Sequence, residues 1–364
     1  MSSSIMNSSI MNSSSQGSSR SSSAPEASGL RAVVPSNIAF IKYWGKRDEI
    51  AQWPANDSLS MTLSAAHTVT EARLAEGPHD HLVRNGTLVS STGKDDKALR
   101  HLGLLREQLG FKSALSIATR NTFPADCGIA SSASGLGALT LAAVAAWTGA
   151  ESLEHLVDLG FPLQRLAHLA RLGSGSACRS LLGGYVEWRS GAHADDQSVK
   201  AIATPEDFPL SDVIVLLSKA AKPVSSTAAH RHAWTSPLFS PRLAGLNRRL
   251  REVREAIARK DLEQLGEAIE AEALEMHAVM MSSTPPAFYM TSETSRLLAW
   301  VREERSRGAL EAWFTVDAGP NVHLICRPQV AQEVAHRIIH DFGAPELLVD
   351  QVGYGPRLGK GLMP

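Results

Sequence analysis

Charged side chains beside apolar segments are the first candidates for chemistry in this sequence. Asp317 lies in TVDAGPN, directly after an apolar segment and before a Gly-Pro turn. A carboxylate at such a strand end can act as a base or stabilise charge in a cleft, although aspartates also commonly cap turns. Arg179 lies in GSGSACRS at a predicted helix start, where the helix dipole is unfavourable to a cation. Its planar guanidinium could bind an anionic ligand through two hydrogen bonds, or pair with Glu187 or another acid at the surface.

Two further segments could bind anions. In IKYWGK, Lys42 and Lys46 flank Tyr43 and Trp44, which suits either a polyanionic substrate or a strand edge with solvated charges. The stretch 123–148 has closely spaced glycines and serines and continues into an uncharged apolar segment. This pattern predicts a loop that leads into a buried helix, whose free N–H groups and dipole could bind phosphate. Close helix packing explains the composition equally well, and the Walker motif and a GxGxxG after a strand are both absent.

Strand and helix patterns predict the elements that position these residues. The predicted strands are 32–34, 38–44, 67–74, 114–119, 185–189, 213–217, 313–316, 322–326 and 347–352. The predicted helices are 97–109, 163–172, 241–260, 261–281, 292–307 and 329–342, and Asn85-Gly86 predicts a hairpin turn. This mixture indicates an α+β protein with a cleft between two lobes.

Length and composition define the expected organisation. At 364 residues the chain suits two domains, which we place at 30–200 and 201–364 because the polar segment 191–207 is the best boundary. The serine-dominated segment 1–29 has too few apolar residues to fold, so a disordered tail is expected. The net charge of −1 offers no basic field for nucleic acid or membrane. Three widely spaced cysteines favour a reducing cytoplasm over a disulfide framework. No metal site held by the protein is predicted, and a homodimer is expected.

Four sequence blocks resemble one known family. PADCGIASSA (124–133) resembles the phosphate-binding motif P-x-x-x-G-[LI]-x-S-S-A of the GHMP kinase superfamily. NIAFIKYWGKRD (37–48), GSGSACRSLLGGYVEW (173–188) and FTVDAGPNVHL (314–324) resemble the diphosphomevalonate decarboxylases within that superfamily. Weaker matches are PANDSLSMTL (54–63), KPVSST (222–227) and PPAFYM (285–290). The blocks occur in the family order, which makes the resemblance far more specific than a single motif.

The resemblance implies a fold and an activity. The fold would be the two-lobed GHMP-kinase-like α+β fold, in which a ribosomal-protein-like α/β N-terminal lobe binds ATP and a cleft separates it from a ferredoxin-like C-terminal lobe. The activity would be ATP-dependent decarboxylation of (R)-5-diphosphomevalonate in the mevalonate pathway of isoprenoid biosynthesis. The products would be isopentenyl diphosphate, ADP, phosphate and CO2, and Mg2+ would arrive with ATP.

The resemblance also implies roles for individual residues. Asp317 would face the tertiary 3-hydroxyl as general base or orienter, Lys42 would lie near the reacting centre and could hold Asp317 ionised, and Arg179 would bind the C1 carboxylate. The other implied substrate-binding residues are Tyr43 and Lys46 at the distal phosphate end, Ser174 and Ser176, and Ser225. The implied ATP-binding residues are Gly128, Ala130, Ser131, Ser132 and Ser134.

The sequence departs from the family pattern at two places. After KPVSST the family usually continues with Gly-Met, but here Ala228, Ala229 and His230 follow, and we predict that the HRH histidines lie at the surface. The arginine often found before the Asn-Gly turn is replaced by His79 or His81. These departures leave open a phosphomevalonate decarboxylase that makes isopentenyl phosphate. A GHMP small-molecule kinase without decarboxylation and a non-catalytic binding module are also compatible with the sequence.

Overall fold

The computed structural model describes residues 29–89, 96–123, 131–218, 224–343 and 346–362. Apart from Gly29, the segment expected to be a disordered tail lies outside these residues. The first part of the chain forms strands β1 (Leu30–Ile41), β2 (Lys46–Asp48), β3 (Trp53–Pro54), β4 (Ser58–Leu74), β5 (His81–Arg84), β6 (Thr87–Val89), β7 (Leu115–Asn121), β8 (Tyr185–Arg189) and β9 (Ser198–Ala203). Its helices are α1 (Lys97–Leu109), α2 (Ser131–Thr148), α3 (Leu153–Asp158) and α4 (Leu163–Gly173), and the 3-10 segment Gly175–Leu181 follows α4.

The second part of the chain supplies the remaining elements. Its strands are β10 (Ser211–Val215), β11 (Trp313–Thr315), β12 (Val322–Cys326), β13 (Leu347–Gln351) and β14 (Arg357–Lys360). Its helices are α5 (Ser226–His232), α6 (Phe239–Arg259), α7 (Leu262–Met281), α8 (Ser292–Ser306) and α9 (Ala331–Arg337), and α9 continues as the π-helical turn Ile338–Phe342.

An eight-stranded sheet organises the N-terminal lobe. Its main strand order is β14-β1-β4-β7-β5-β6, and β8 and β9 extend it beside the first half of β4. The 17-residue β4 is long enough to belong to both parts of the sheet, because residues 58–61 pair with β8 and residues 68–74 pair with β7. The predicted turn at Asn85-Gly86 joins β5 to β6 and is confirmed. Strand β5 pairs with β7 in parallel, whereas the other described pairs in this sheet are antiparallel.

Helix α2 is buried because it lies between the sheet and other helices. It contains no charged residue, packs on β1 and β4, and is covered by α1 and α4. A Cβ on Gly137 would lie 2.7 Å from Leu181 and 3.0 Å from Val34, so only glycine permits this close approach. Close packing therefore explains the small residues in the body of α2, as one of the two interpretations of this stretch anticipated.

A four-stranded antiparallel sheet organises the C-terminal lobe. Its order is β11-β12-β10-β13, with helices between β10 and β11 and between β12 and β13, which is the ferredoxin-like arrangement. One sheet face packs on α8 and α9. The other face packs on α6 and α7 in an apolar core that also includes Ile38, Phe40 and Met61 of the N-terminal lobe. This shared core holds the two lobes together, and the predicted two-lobed α+β fold is confirmed.

The sequence-based division at 200/201 does not separate the two sheets. The division falls inside β9, which pairs with β8, and β14 returns to the first sheet, where Leu30 pairs with Lys360 and Val33 with Arg357. The Asp350 carboxylate of β13 also accepts hydrogen bonds at 2.8–2.9 Å from three backbone N–H groups of β4, those of residues 64–66. The chain therefore crosses between the lobes more often than the sequence suggested.

Candidate active site

A cleft of about 730 Å³ lies between the lobes and collects most of the predicted site residues. It is bordered by the end of β1, the start of α1, the start of α2, the 3-10 segment, α5 and the turn after β11. The predicted residues that line it are Lys42, Tyr43, Lys46, Ser131, Ser132, Ser174, Ser176, Arg179, Ser225 and Asp317. Side chains that lie far apart in the sequence thus share one cavity.

Lys42 and Asp317 form an ion pair at the base of this cleft. The distance from Lys42 Nζ to Asp317 Oδ1 is 2.7 Å. The lysine side chain is 2% exposed and that of the aspartate 25% exposed, so the carboxylate is the more accessible partner. A buried ammonium beside a carboxylate favours the ionised form of that carboxylate.

Helix α7 fixes the backbone of both members of the pair. The Glu272 carboxylate accepts the backbone N–H of Lys42 at 3.1 Å and also binds the guanidinium groups of Arg242 and Arg249. Nε2 of His277 lies 3.2 Å from the backbone oxygen of Asp317 and must donate, because a carbonyl oxygen only accepts. Burial lowers the pKa of His277 to about 4, so its imidazole is neutral at pH 7. One helix therefore sets the position of Lys42 relative to Asp317.

Arg179 is a buried cation held by neutral oxygen atoms. Its guanidinium donates to Ser58 Oγ at 2.7 Å, to Ser60 Oγ at 3.1 Å and to Asn37 Oδ1 at 3.3 Å. Among the described residues no carboxylate lies within ion-pair distance of it. Burial is the largest influence on the pKa of Arg179 and lowers it, although the negative charge of Asp317 acts in the opposite direction. Because the residue lines the cleft, an anionic group of a ligand could supply an ion-pair partner.

The alternative pairing of Arg179 with Glu187 is wrong. Glu187 lies on β8 and binds Arg189 and Arg254 instead. Both arginines lower the pKa of the Glu187 carboxyl, although burial acts in the opposite direction as the largest single influence. Arg254 belongs to α6, so this pair is another contact between the lobes.

Of the predicted phosphate-binding residues at the start of α2, some face the cleft and one does not. Ser131 and Ser132 face the cleft, and Ser132 Oγ lies 3.4 Å from Ser174 Oγ. Ser134 does not reach the cleft, because its buried hydroxyl accepts a hydrogen bond at 2.8 Å from Thr68 Oγ1 of β4. That position corrects its assignment to the ATP site. Gly128 and Ala130 lie outside the described residues.

Tyr43 and Lys46 line the cleft just beyond the end of β1. The Tyr43 ring packs on Trp188 and on His230, with ring centroids 4.8 and 4.5 Å apart. Burial raises the pKa of Tyr43 well above its usual value, so its hydroxyl stays protonated. Burial lowers the pKa of Lys46, whose Nζ lies 3.5 Å from Glu49 Oε2. Lys46 is therefore positioned to donate hydrogen bonds into the cleft, whereas the Tyr43 hydroxyl donates to Gln52 Oε1 at 3.5 Å.

Sequence reasoning missed several polar residues of the cleft. His230, predicted to lie at the surface, is 7% exposed and lines the cleft. Lys97 and Arg100 in the first turns of α1 also line it, although an amphipathic helix pattern indicates only that such charges avoid the core. Asn37 also lines the cleft. The sequence signal that could have identified it is its position in the NIAFIKYWGKRD block, directly before an apolar segment.

No metal centre or membrane-spanning helix is found in the described ranges. Within them, no cluster of three or more His, Cys, Asp or Glu side chains could hold a metal ion. His336 and His340 have HxxxH spacing and ring centroids 4.1 Å apart, but no third such ligand completes that pair. No helix there is long and apolar enough to cross a membrane.

The fold and cleft define a class of protein. A ferredoxin-like lobe, a buried helix that begins at the cleft with two serines, and an interlobe cavity together form a GHMP-kinase-like structure. Residues 34–200 match the family model of the diphosphomevalonate decarboxylase-like N-terminal domain, and residues 213–356 match that of the mevalonate 5-diphosphate decarboxylase C-terminal domain. The chain belongs to the diphosphomevalonate decarboxylase family.

Individual relatives agree with this assignment. The chain is 35% identical over 312 residues to the diphosphomevalonate decarboxylase of Debaryomyces hansenii, covering 80% of this chain and 77% of the relative. It superposes with a TM-score of 0.82 on MDDEF in complex with MVAPP, AMPPCP and magnesium, at 32% identity, covering 91% and 99% of the two chains. A mevalonate diphosphate decarboxylase from Enterococcus faecalis, studied for mevalonate diphosphate mediated ATP binding, gives a TM-score of 0.81 at 32% identity and the same coverage.

Proposed function

We propose that this protein catalyses ATP-dependent decarboxylation of (R)-5-diphosphomevalonate to isopentenyl diphosphate, with release of ADP, phosphate and CO2. The observation that carries the proposal is that one cleft holds both the Lys42–Asp317 pair and the buried Arg179, which has no carboxylate within ion-pair distance among the described residues. The Lys42–Asp317 pair is suited to bind a hydroxyl group, and Arg179 is suited to bind a carboxylate. A substrate that carries both groups is the 3-hydroxy acid that the related proteins bind.

The chemistry requires a poor leaving group to become a good one. Asp317 orients the 3-hydroxyl and accepts its proton as phosphoryl transfer from ATP proceeds, while Lys42 keeps the carboxylate ionised. When phosphate then leaves with the C3–O electron pair, positive charge develops at C3. The C1–C2 electrons form the C2=C3 double bond, and C1 departs as CO2. Arg179 holds the C1 carboxylate ionised and in place, so positioning and electrostatics supply the catalysis.

The start of α2 is suited to the phosphates of ATP. The first N–H groups of an α-helix lack acceptors within the helix, and here they lie beside the cleft with the hydroxyls of Ser131 and Ser132. When bound, ATP supplies the phosphoryl group that activates the 3-hydroxyl, and Mg2+ accompanies its phosphates. Gly128 and Ala130 are proposed to contribute to the same site.

An assay with two substrates tests the function. Purified protein is incubated with ATP and either 5-diphosphomevalonate or 5-phosphomevalonate, and ADP and CO2 are measured together. We expect equal amounts of ADP and CO2, with the diphosphate as the better substrate. ADP without CO2 would identify a kinase, and preference for the monophosphate would identify a phosphomevalonate decarboxylase.

Ser132 and Ser134 provide a matched pair of variants for the ATP site. Ser132→Ala removes a hydroxyl that faces the cleft, so we expect KM for ATP to rise about tenfold, with a smaller change in KM for the substrate. Ser134→Ala removes only the hydrogen bond with Thr68, so stability should fall by about 1 kcal/mol at unchanged KM for ATP. Steady-state kinetics and thermal unfolding measure both. Equal KM values for ATP in the two variants would contradict the assignment of Ser132.

The proposal extends to the compartment and the oligomeric state. Cys178 and Cys326 are free and buried thiols, which supports a reducing compartment such as the cytoplasm. We also propose a homodimer. Sedimentation at micromolar concentration distinguishes a dimer from a monomer.

A further inference from the structure

One helix contacts both members of the Lys42–Asp317 pair, which come from different lobes. Lys42 directly follows β1 of the N-terminal lobe, and Asp317 lies in the turn after β11 of the C-terminal lobe. The 2.7 Å distance between their side chains therefore depends on how the two lobes are placed relative to each other. Helix α7 packs on both β1 and β11, so its side chains can fix this placement.

One face of α7 follows β11 to the turn that carries Asp317. A Cβ on Gly266 would lie 2.0 Å from the Trp313 ring, so the helix and the strand approach as closely as a glycine permits. The Glu270 carboxylate accepts the backbone N–H of the next strand residue at 3.2 Å, and His277 donates to the backbone oxygen of Asp317. Positions 266, 270 and 277 lie within about 40° of one another around a helix that turns about 100° per residue. This face of α7 therefore fixes both the strand and the turn.

Buried side chains hold the backbone of Lys42 where β1 ends. Oε1 of Glu272 accepts its N–H at 3.1 Å. Its backbone oxygen accepts hydrogen bonds from Nδ2 of Asn56 at 3.0 Å and from Nη2 of Arg242 at 3.3 Å. These three side chains belong to residues that are at most 7% exposed. Glu272 and Arg242 lie on α7 and α6, so the C-terminal lobe directly holds a residue of the N-terminal lobe.

Stability alone does not account for this arrangement. Glu272 forms buried ion pairs with Arg242 and Arg249, and such pairs often contribute no more to stability than apolar side chains of similar volume. Nε and Nη1 of Arg242 are also buried, and in the described part of the chain they have no hydrogen-bond acceptor. A buried donor without an acceptor costs free energy. The arrangement is instead explained by the geometry that Glu272 and Arg242 impose on Lys42.

We propose that Glu272 and His277 are positioning residues for phosphoryl transfer. Glu272 sets the backbone of Lys42, His277 sets the backbone of Asp317, and α7 holds the two at the separation that the reaction requires. This inference rests on the proposed function, because it concerns the pair assigned to the 3-hydroxyl. Neither Glu272 nor His277 is among the described residues that line the cleft, so each acts through the residue that it holds. Loss of either contact should therefore lower kcat more than it changes KM, because a small displacement of a reacting group slows the reaction.

Variants in an Arg242→Met background isolate the contact between Glu272 and Lys42. This background removes the arginine that a neutral residue at position 272 would leave buried without its carboxylate, while Arg249 keeps Glu275 as a partner. In this background Glu272→Gln retains an acceptor for the N–H of Lys42, and Glu272→Leu does not. We expect kcat of the leucine variant to be roughly ten- to a hundredfold below that of the glutamine variant, with KM for ATP and for 5-diphosphomevalonate within about threefold.

Glu275→Leu is the matched control on the same helix. Glu275 also binds Arg249, but its side chain is 43% exposed, so kcat should stay within about twofold of the parent. Steady-state kinetics on the full chain measure kcat and KM, and melting temperatures show which variants are folded. Equal kcat in the folded leucine and glutamine variants of Glu272 would overturn its positioning role.

A pair of His277 variants tests the second contact without removing a charge. His277→Gln can keep a donor near the position of Nε2, whereas His277→Leu has a similar size and no donor. We expect His277→Leu to lower kcat roughly tenfold or more, and His277→Gln to recover most of that loss. A purely structural residue would change the melting temperature of both variants without this difference in kcat. Equal kcat in the two folded variants would overturn the role of His277.

Amide hydrogen exchange tests the contact with Lys42 apart from turnover. Mass spectrometry on the full chain compares the exchange rate of the Lys42 N–H in the two Glu272 variants of the Arg242→Met background. Exchange should be roughly tenfold or more faster in the leucine variant, because the N–H loses its acceptor. Equal exchange rates would overturn the proposal. Failure of the parent protein to release CO2 would instead overturn the proposed function, and the difference in exchange would not depend on it.

Discussion

Replacing Asp317 with asparagine should lower kcat by roughly a hundred- to ten-thousand-fold, the usual contribution of a positioned base. The substitution keeps the size of the side chain but removes the charge that faces the substrate hydroxyl and pairs with Lys42. KM for the substrate should change little, because its carboxylate and phosphate contacts lie on other residues. ADP and CO2 should decrease together, since phosphoryl transfer precedes decarboxylation.

The control for this variant is Asp341→Asn. Asp341 belongs to the same lobe, pairs with Arg337 and is 47% exposed, so its charge should contribute little to stability and nothing to turnover. If Asp317→Asn made ADP at the parental rate and released no CO2, Asp317 would act after phosphoryl transfer. Its proposed role as base or orienter of the hydroxyl would then be wrong.

Replacing Arg179 with lysine should lower kcat/KM by roughly thirty-fold or more. Lysine keeps the charge but cannot donate simultaneously to Asn37, Ser58, Ser60 and a substrate carboxylate from one planar group. Loss of a hydrogen bond to a charged group costs about 1.5–3 kcal/mol, and each 1.4 kcal/mol is about a factor of ten. Steady-state kinetics should show the loss both in KM for the substrate and in kcat, because the carboxylate is bound and also leaves.

Arg165→Lys is the matched substitution at an exposed arginine of α4. It should leave kcat/KM within twofold of the parent. Comparison of the melting temperatures shows whether the Arg179 variant remains folded. Parental kinetics in a folded Arg179→Lys protein would exclude a requirement for the guanidinium geometry.

Periodicity predicts those parts of the fold in which local sequence determines structure. Helix 97–109 and strands 185–189 and 322–326 agree with the observed bounds, because the apolar spacing of the helix matches one buried face and the two short strands are buried along almost their whole length. Strand β14 is not predicted, since RLGK has little apolar character and forms a strand only because β1 offers an unpaired edge. Helix α5 is also missed, because its seven residues carry no helical apolar stripe.

The candidate site shows the same distinction between motifs and tertiary contacts. Family blocks identify Lys42, Arg179 and Asp317, and the structure brings them to one cleft. The motif places Ser134 together with Ser131 and Ser132. A helix rotates about 100° per residue, so the side chain of Ser134, two positions after Ser132, points to another side of α2 and contacts β4. The surface position predicted for His230 follows from its polar neighbours in the HRH segment. Only the packing of α5 against the aromatic residues after β1 buries it.

The return of β14 to β1 has a consequence for how the molecule reaches its native state. During synthesis, β1 leaves the ribosome well before its outer partner β14, which follows about 330 residues later. Until then β1 exposes an unpaired edge, which is a template for pairing with another chain. The pairing also closes a long loop, a contact of high sequence separation that slows folding. We therefore expect nascent chains of this protein to depend on chaperone binding or rapid completion to avoid edge-to-edge association.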